Sequence, residues 1–372
     1  MLKSIKIKNF KNIIDLEIPH LSKVNLITGK NNTSKTTLLE AIGLWASNID
    51  FELIYAIIAE RGELSYSKNS NNINRNRNVD NFNSLRSLFH NRELDFNGKK
   101  NIFIGNEKDY IEIGFVNYIE ENIERISEDG KLSVVGKVRK KIKTENGFED
   151  SSLGLEINTK DYENISPITE SRDFRRLEQS LNKKNFQFIR PSFQENEING
   201  ILWDKITLSE KEDYVIQALK IIEEDLEKIA FIKVEGSREE RRVTAKIKNN
   251  VERVPLKSMG DGINRVLSIA LGLVNADNGY LLIDEFENGL HYSVQEKLWE
   301  IVFDLSEKLN VQVFATTHSE DCIAALSAVT NSKKYKNLGT LIKLEKINKE
   351  IKVVDFQSDE LRIANENDID LR

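Results

Sequence analysis

Apolar and polar residues alternate through KSIKIKNF (residues 3–10) and IIDLEI (13–18), the two-residue period of half-buried strands. VNLITG (24–29) reads as a third strand, a polar loop follows, and KTTLLEAIGLWASNI then sets Leu38, Leu39, Ile42 and Trp45 at helical spacing. From about Asn101 to Leu155, stretches such as DYIEIGFVNYI and KLSVVGKVRKKIK predict antiparallel strands. Residues 67–78, SKNSNNINRNRN, have almost no apolar content and read as an exposed or mobile loop. In EDYVIQALKIIEEDLEKI, Val215, Leu219, Ile222 and Leu226 mark one face of an amphipathic helix, so residues 156–250 are expected to form an insertion or helical arm.

The character changes after Pro255. GINRVLSIALGLVN predicts a mostly apolar helix, GYLLIDEF a buried strand, SVQEKLWEIVFDLSEKL a helix and NVQVFATTHS another buried strand. Strand, helix and strand in alternation argue for a parallel sheet. The expectation is an α/β fold with a mixed, largely parallel sheet flanked by helices, antiparallel strands near the N-terminus and a helical insertion. Its parts would be residues 1–155, 156–250 and 251–372.

Four motifs carry candidate chemistry. GKNNTSKTT, between a strand and a helix, matches G-x-x-x-x-G-K-[ST] except that Ser34 stands at the second glycine. Gly29, Asn31, Asn32, Thr33, Ser34, Lys35, Thr36 and Thr37 would cradle phosphates with backbone N–H groups, Lys35 would supply charge, and Thr36 would ligate Mg²⁺. If position 34 needs φ above zero, serine there costs ~1–2 kcal/mol. YLLIDEFENGLH ends a buried strand in Asp284, suited to hold Mg²⁺, and Glu285, suited to accept a proton from an attacking water. SMGDGINR opens a helix at which Ser258, Gly260 and Asp261 could face an anion, although for the isolated string a plain helix cap by Asp261 or Ser258 is the default reading. His318, in VFATTHSED, follows a buried strand, where a capping or surface role is the commoner one.

Composition narrows the classes. With 31% charged residues, 39% hydrophobic residues and only 4 prolines, the chain of 372 residues suits a helix-rich globular protein. A net charge of −6 limits nucleic-acid contact to local basic patches. The candidates are Arg75 and Arg77, then Arg172, Arg175 and Arg176, then Arg238, Arg241 and Arg242, and each reads more readily as a solvated face than as a DNA contact because acidic residues are interleaved. A single cysteine, Cys322, excludes an intrachain disulfide or thiolate metal cluster and fits a reducing cytosol. No apolar run approaches the ~20 residues of a membrane span, and the N-terminus lacks a signal-peptide core, so a cytoplasmic, non-membrane protein is expected.

The order of the motifs, phosphate loop, glycine-rich helix start, strand with Asp-Glu, strand with Thr-His, resembles the ABC-type ATPase heads of the SMC, RecF and OLD group. LKSIKIKNFKNIIDLEI resembles their opening. GKNNTSKTTLLEA, SMGDGINRVLSIALGLV, LLIDEFENGLH, FATTHSEDCI and the tail SDELRIANENDIDLR look most like single-chain bacterial AAA ATPases allied to the OLD proteins. The resemblance covers residues 1–45 and 255–325 most firmly. It implies a P-loop head that uses ATP and Mg²⁺, with Asn31, Lys35 and Thr36 around the phosphates, Asp284 on the metal and Glu285 as catalytic base. Ser258 and Gly260 would reach the γ-phosphate of a neighbouring protomer, His318 would be the switch histidine, and His291 would lie in a loop at the dimer interface. The implied assembly is an ATP-dependent head-to-head homodimer or a higher oligomer.

The sequence after His318 is expected to be too short for a Toprim nuclease domain of ~100 residues. DID (368–370) lacks the strand and helix context of a nuclease centre. By resemblance, the chain would be a switch that senses or holds nucleic acid and controls a separately encoded effector, such as a nuclease, in antiphage defence. A RecF-like or SMC-like repair clamp without an effector is the alternative. A transporter energy subunit and a catalytically dead binding module are the readings from other classes.

Overall fold

The computed structural model describes residues 1–64, 81–126, 132–142, 151–168, 184–191, 196–234, 241–348, 350–367 and 369–372. The polar stretch at 67–78, the arginines at 75, 77, 172, 175, 176 and 238, and Asp368 lie outside the described residues. The chain forms two compact units: Met1–Ser4, Ile18–Leu39 and Lys184–Arg372 make one, and Ile5–Glu17 with Glu40–Lys183 the other.

The second unit is built on a sheet ordered β2-β1-β4-β5-β7-β8, with β6 also paired to β5. Its strands are β1 (Ile5–Phe10), β2 (Ile13–Ile18), β3 of the other unit intervening in sequence (Val24–Thr28), then β4 (Ile102–Gly105), β5 (Tyr110–Ile126), β6 (Leu132–Ile142), β7 (Ser152–Thr159) and β8 (Glu163–Pro167). The pairs β1 with β4, β4 with β5, β5 with β6 and β7, and β7 with β8 are antiparallel, as the alternating patterns predict. Lys11, Glu40 and Arg61 form an ion cluster there. Lys11 Nζ donates to Glu40 at 3.1 Å, and burial holds the Lys11 ammonium below the usual lysine range.

The first unit holds a sheet ordered β16-β15-β3-β14-β13-β9. In it β9 (Phe186–Ile189), β13 (Tyr280–Ile283), β14 (Gln312–Thr316), β3 and β15 (Gly339–Ile347) pair in parallel, and β16 (Glu350–Phe356) returns antiparallel to β15. Every residue of β3, β13 and β14 is buried, the signature of central parallel strands covered on both faces. Helices among the described residues include α1 (Lys35–Ala46), α2 (Phe51–Glu60), α3 (Asn196–Asp204), α4 (Lys211–Leu219), α5 (Asp261–Asn275), α6 (Tyr292–Lys308), α7 (Glu320–Thr330) and α8 (Ser358–Glu366), and residues 81–86 are helical as well. One core cluster joins β3, β13 and β14 to α5, α6 and α7, with Trp299, Phe303 and Phe286 among its largest side chains. Gln312 Nε2 donates to the carbonyls of Leu2 and Ser22 at 2.8 Å each and its Oε1 accepts from Leu2 N, which ties the N-terminus to β14.

One predicted helix divides. Val215 and Leu219 lie on α4 as expected, but the helix closes after Leu219, and Leu226 opens β10 (Leu226–Lys233). β10 pairs with β11 (Arg241–Ile247), which pairs with the short β12 (Val254–Pro255). The run KIAFIK is rich in β-formers, and cross-strand pairing overrides the helical period that Ile222 and Leu226 continue. Between Asn196 and Pro255 the described residues form two short helices and this three-stranded sheet.

Candidate active site

The candidate residues lie at the carboxyl ends of adjacent parallel strands, where open α/β sheets bind ligands. The loop at 29–34 follows β3, Asp284 and Glu285 follow β13, and Thr317 and His318 follow β14, which lies between the other two.

The loop's shape follows from its residues. Gly29 has φ +139°, and a Cβ there would come within 2.3 Å of the Leu344 carbonyl, so only glycine fits. Asn32 has φ +65°, suited to asparagine. Ser34 has φ +76°, so the strain expected where glycine is missing is present. Thr33 Oγ1 donates to Lys30 O at 2.8 Å. The buried Ser34 hydroxyl has no hydrogen-bond partner among the described residues.

Lys35, only 6% exposed, opens α1 and folds its ammonium onto the loop, donating to Gly29 O at 2.6 Å and Lys30 O at 3.1 Å. Burial holds this ammonium below the usual lysine range, against the pull of Asp284, Glu287 and Glu285. Thr36 Oγ1 donates to Asp284 Oδ2 at 3.0 Å across 248 residues of sequence. Thr316 Oγ1 donates to Asp284 Oδ1 at 2.5 Å and accepts from Glu285 N at 2.8 Å, so β14 sets both acidic residues. Glu285 has φ +52°, and its half-buried carboxylate accepts no hydrogen bond from the described residues.

Arg265, which motif reading passed over, is 3% exposed on α5. Its Nη2 donates to the carbonyls of Asp284 and Glu285 at 2.6 Å each, and its Nη1 to Arg190 O at 2.9 Å. Burial pushes its guanidinium down to about 10, opposed by the charges of Asp284, Glu287 and Glu285. The available signal was a lone basic residue inside the apolar face of GINRVLSIALGL, since a buried cation must be paired. Phe286 stacks on Trp299 with ring centroids 3.9 Å apart, anchoring the chain beyond Glu285.

Gly260, φ +99°, is the N-cap of α5 and makes no side-chain cap bond. The Ser258 hydroxyl donates instead to Pro255 O at 2.6 Å, and Asp261 is the first helical residue. Neither caps the helix, so its first N–H groups have no side-chain partner at the cap. His318 is exposed, its backbone N–H donates to Glu287 Oε1 at 2.8 Å, and the residue lines a cleft with Gly29, Lys30 and Asn31. His291 is the N-cap of α6, with Nδ1 2.8 Å from Ser293 Oγ. In the third basic patch, Arg241 pairs with Asp204 at 2.7 Å, the solvated-face arrangement.

The donor set fits Mg²⁺ with a triphosphate. A hydroxyl and a carboxylate are hard oxygen ligands, and Mg²⁺ takes few protein ligands beside water and phosphate. Among the described residues no group of three or more His, Cys, Asp or Glu forms a self-sufficient metal cage. The orphaned Ser34 hydroxyl and the positive-φ loop supply a cradle for phosphate oxygens.

A family model described as AAA ATPase domain matches residues 1–323. An ATP/GTP phosphatase of Helicobacter pylori is 26% identical over 390 aligned positions, spanning 100% of both chains. An uncharacterised protein of Methanocaldococcus jannaschii is 43% identical over 61 residues, 16% of this chain and 28% of that one. Among solved structures, the SMC head domain from Thermotoga maritima is 11% identical with a TM-score of 0.43, covering 96% of this chain and 99% of that one. An Smc head domain with an extended coiled coil, bound to the C-terminal domain of ScpA derived from Pyrococcus furiosus, is 12% identical with a TM-score of 0.48, covering 98% of each chain.

Proposed function

We propose, from the premise that the chain belongs to the AAA ATPase domain family and is an ATP-hydrolysing enzyme of that type, that hydrolysis takes place between the Gly29–Thr37 loop and the Asp284–Glu285 strand end. The observation that carries this is the meeting of Thr36 and Asp284 at 3.0 Å, with the Asp284 charge acting on the Lys35 ammonium. The loop N–H groups and the N-terminus of α1 hold phosphate oxygens, and Lys35 exchanges the carbonyls of Gly29 and Lys30 for the β and γ phosphates. Thr36 and Asp284 hold Mg²⁺, which when bound neutralises charge on the phosphate oxygens. Glu285 takes a proton from water as the water oxygen bonds to the terminal phosphorus; the bond to the β–γ bridging oxygen breaks, leaving ADP and phosphate.

The finer reading is an ABC/SMC-type switch. The N-terminus of α5, with Ser258, Gly260 and Asp261, completes the site of a second copy in a head-to-head homodimer, and His318 reports the terminal phosphate. ATP then clamps the dimer and hydrolysis releases it. The open cap of α5 supports this, as does the motif order. The dimer senses or holds nucleic acid and controls a separately encoded effector such as a nuclease, in antiphage defence. That part rests on resemblance to the OLD-allied ATPases.

The test is to purify tagged Glu285→Gln protein from its native cells with ATP, measure its mass by light scattering and identify companions by mass spectrometry. A dimer carrying a stoichiometric nuclease or toxin is the expected result. A dimer recovered alone or with DNA only would favour a stand-alone repair clamp, and a monomer in saturating ATP would refute the head-to-head switch.

A further inference from the structure

The cleft beside the phosphate loop, ≈ 290 Å³, is lined by Gly29, Lys30, Asn31 and His318 and also by Asp370 and Arg372 of the C-terminal tail. This tail is held by the fold. Leu371 is 4% exposed and belongs to the main core cluster, Lys343 Nζ donates to Asp370 O at 3.0 Å, and Ile369 N donates to Ala364 O at 3.0 Å. With Leu371 turned inward, Asp370 and Arg372 are left exposed at the cleft.

The Arg372 guanidinium contacts two carboxylates, Glu320 through Nη2 and Asp370 through Nε, the latter at 3.4 Å. The Arg372, Glu320 and Asp370 side chains are 47%, 64% and 59% exposed, so these pairs are screened by water and easily exchanged. A phosphate group offers the planar fork several oxygens on one group, a geometry arginine binds through parallel N–H···O bonds. The cleft and the phosphate loop share Gly29, Lys30 and Asn31, and the Lys35 ammonium donates to the carbonyls of the first two.

We infer that Arg372 contacts the terminal phosphate of the bound nucleoside triphosphate, exchanging Asp370 and Glu320 for it. This rests on the nucleotide reading of the site. A diphosphate leaves the arginine with its carboxylates, so the tail distinguishes the two nucleotide states.

The experiment measures equilibrium binding of the non-hydrolysable adenylyl imidodiphosphate and of ADP, each with Mg²⁺, to the full chain and to the Arg372→Ala, Arg372→Lys, Asp370→Asn and Lys35→Ala variants. Arg372→Ala is expected to weaken the triphosphate analogue about three- to ten-fold and ADP less than about two-fold, with partial recovery in Arg372→Lys. Asp370→Asn, which removes a competing carboxylate, is expected to move triphosphate affinity the other way. Equal weakening of both nucleotides, or no change in either arginine or aspartate variant while Lys35→Ala loses both, overturns the role of Arg372 alone. Undiminished binding of both nucleotides by Lys35→Ala overturns the nucleotide reading beneath it.

Discussion

Arg265 holds the end of β13 in place through the carbonyls of Asp284 and Glu285, and those bonds fix the backbone from which both carboxylates project. Replacing it with methionine keeps much of the volume but removes every donor, leaving buried carbonyls unpaired. Arg265→Met is expected to lose about 2–4 kcal/mol in urea unfolding. It should also lower kcat for ATP more than it raises KM, because the Gly29–Thr37 loop is left intact. Ser34 poses a different problem. At φ +76° it carries strain of ~1–2 kcal/mol, and glycine would relieve it but loses ~0.5–1 kcal/mol through unfolded-chain entropy. Ser34→Gly is therefore expected to be neutral or to raise stability by up to about 1.5 kcal/mol by the same unfolding measurement. A gain of several kcal/mol would mean the strain is far larger than the backbone angle implies.

Elements with an unbroken apolar run or a clear period were readable from sequence. VNLIT, YLLI and VQVFAT become the buried strands β3, β13 and β14 because nothing polar interrupts them, and KTTLLEAIGLWA becomes α1 because its leucines repeat at helical spacing. β9, four residues among polar neighbours, is too short to show a period, and the pairing of β15 with β3 depends on residues more than 300 positions apart. The helix expected through Leu226 failed for the same reason in reverse, since a strand partner 8 to 21 residues downstream outweighs local periodicity. At the site, Lys35, Thr36, Asp284 and Glu285 were readable because strand-end acids and a Gly-x₄-x-Lys-Thr loop have local signatures. Arg265 and Arg372 were not, because their partners are backbone carbonyls and carboxylates that only folding brings near. The β3–α1 loop yields its own prediction. Gly29→Ala places a Cβ 2.3 Å from Leu344 O, so the loop must move, and nucleotide binding is expected to fall at least about ten-fold in the same equilibrium assay while the circular dichroism stays native.

At the scale of the whole molecule, two compact units share one chain, and the candidate site lies entirely within the unit formed by 1–4, 18–39 and 184–372. Among the described residues no helix is long and apolar enough to cross a membrane. A net charge of −6 leaves nucleic-acid contact to local patches, and most of the arginines considered for it lie outside the described residues. Membership of the AAA ATPase domain family makes the chain an ATPase; the central claim is that the work is done by Lys35, Asp284 and Glu285 together. The most direct test is the rate of phosphate release from ATP with Mg²⁺ by the wild-type chain and by the Lys35→Ala and Glu285→Gln variants, each checked for native circular dichroism. The account predicts turnover in the wild type and a fall of about 10²–10⁴-fold in Glu285→Gln, with Lys35→Ala at least as impaired. Turnover left unchanged in both folded variants would contradict it and send the search for the active site elsewhere in the chain.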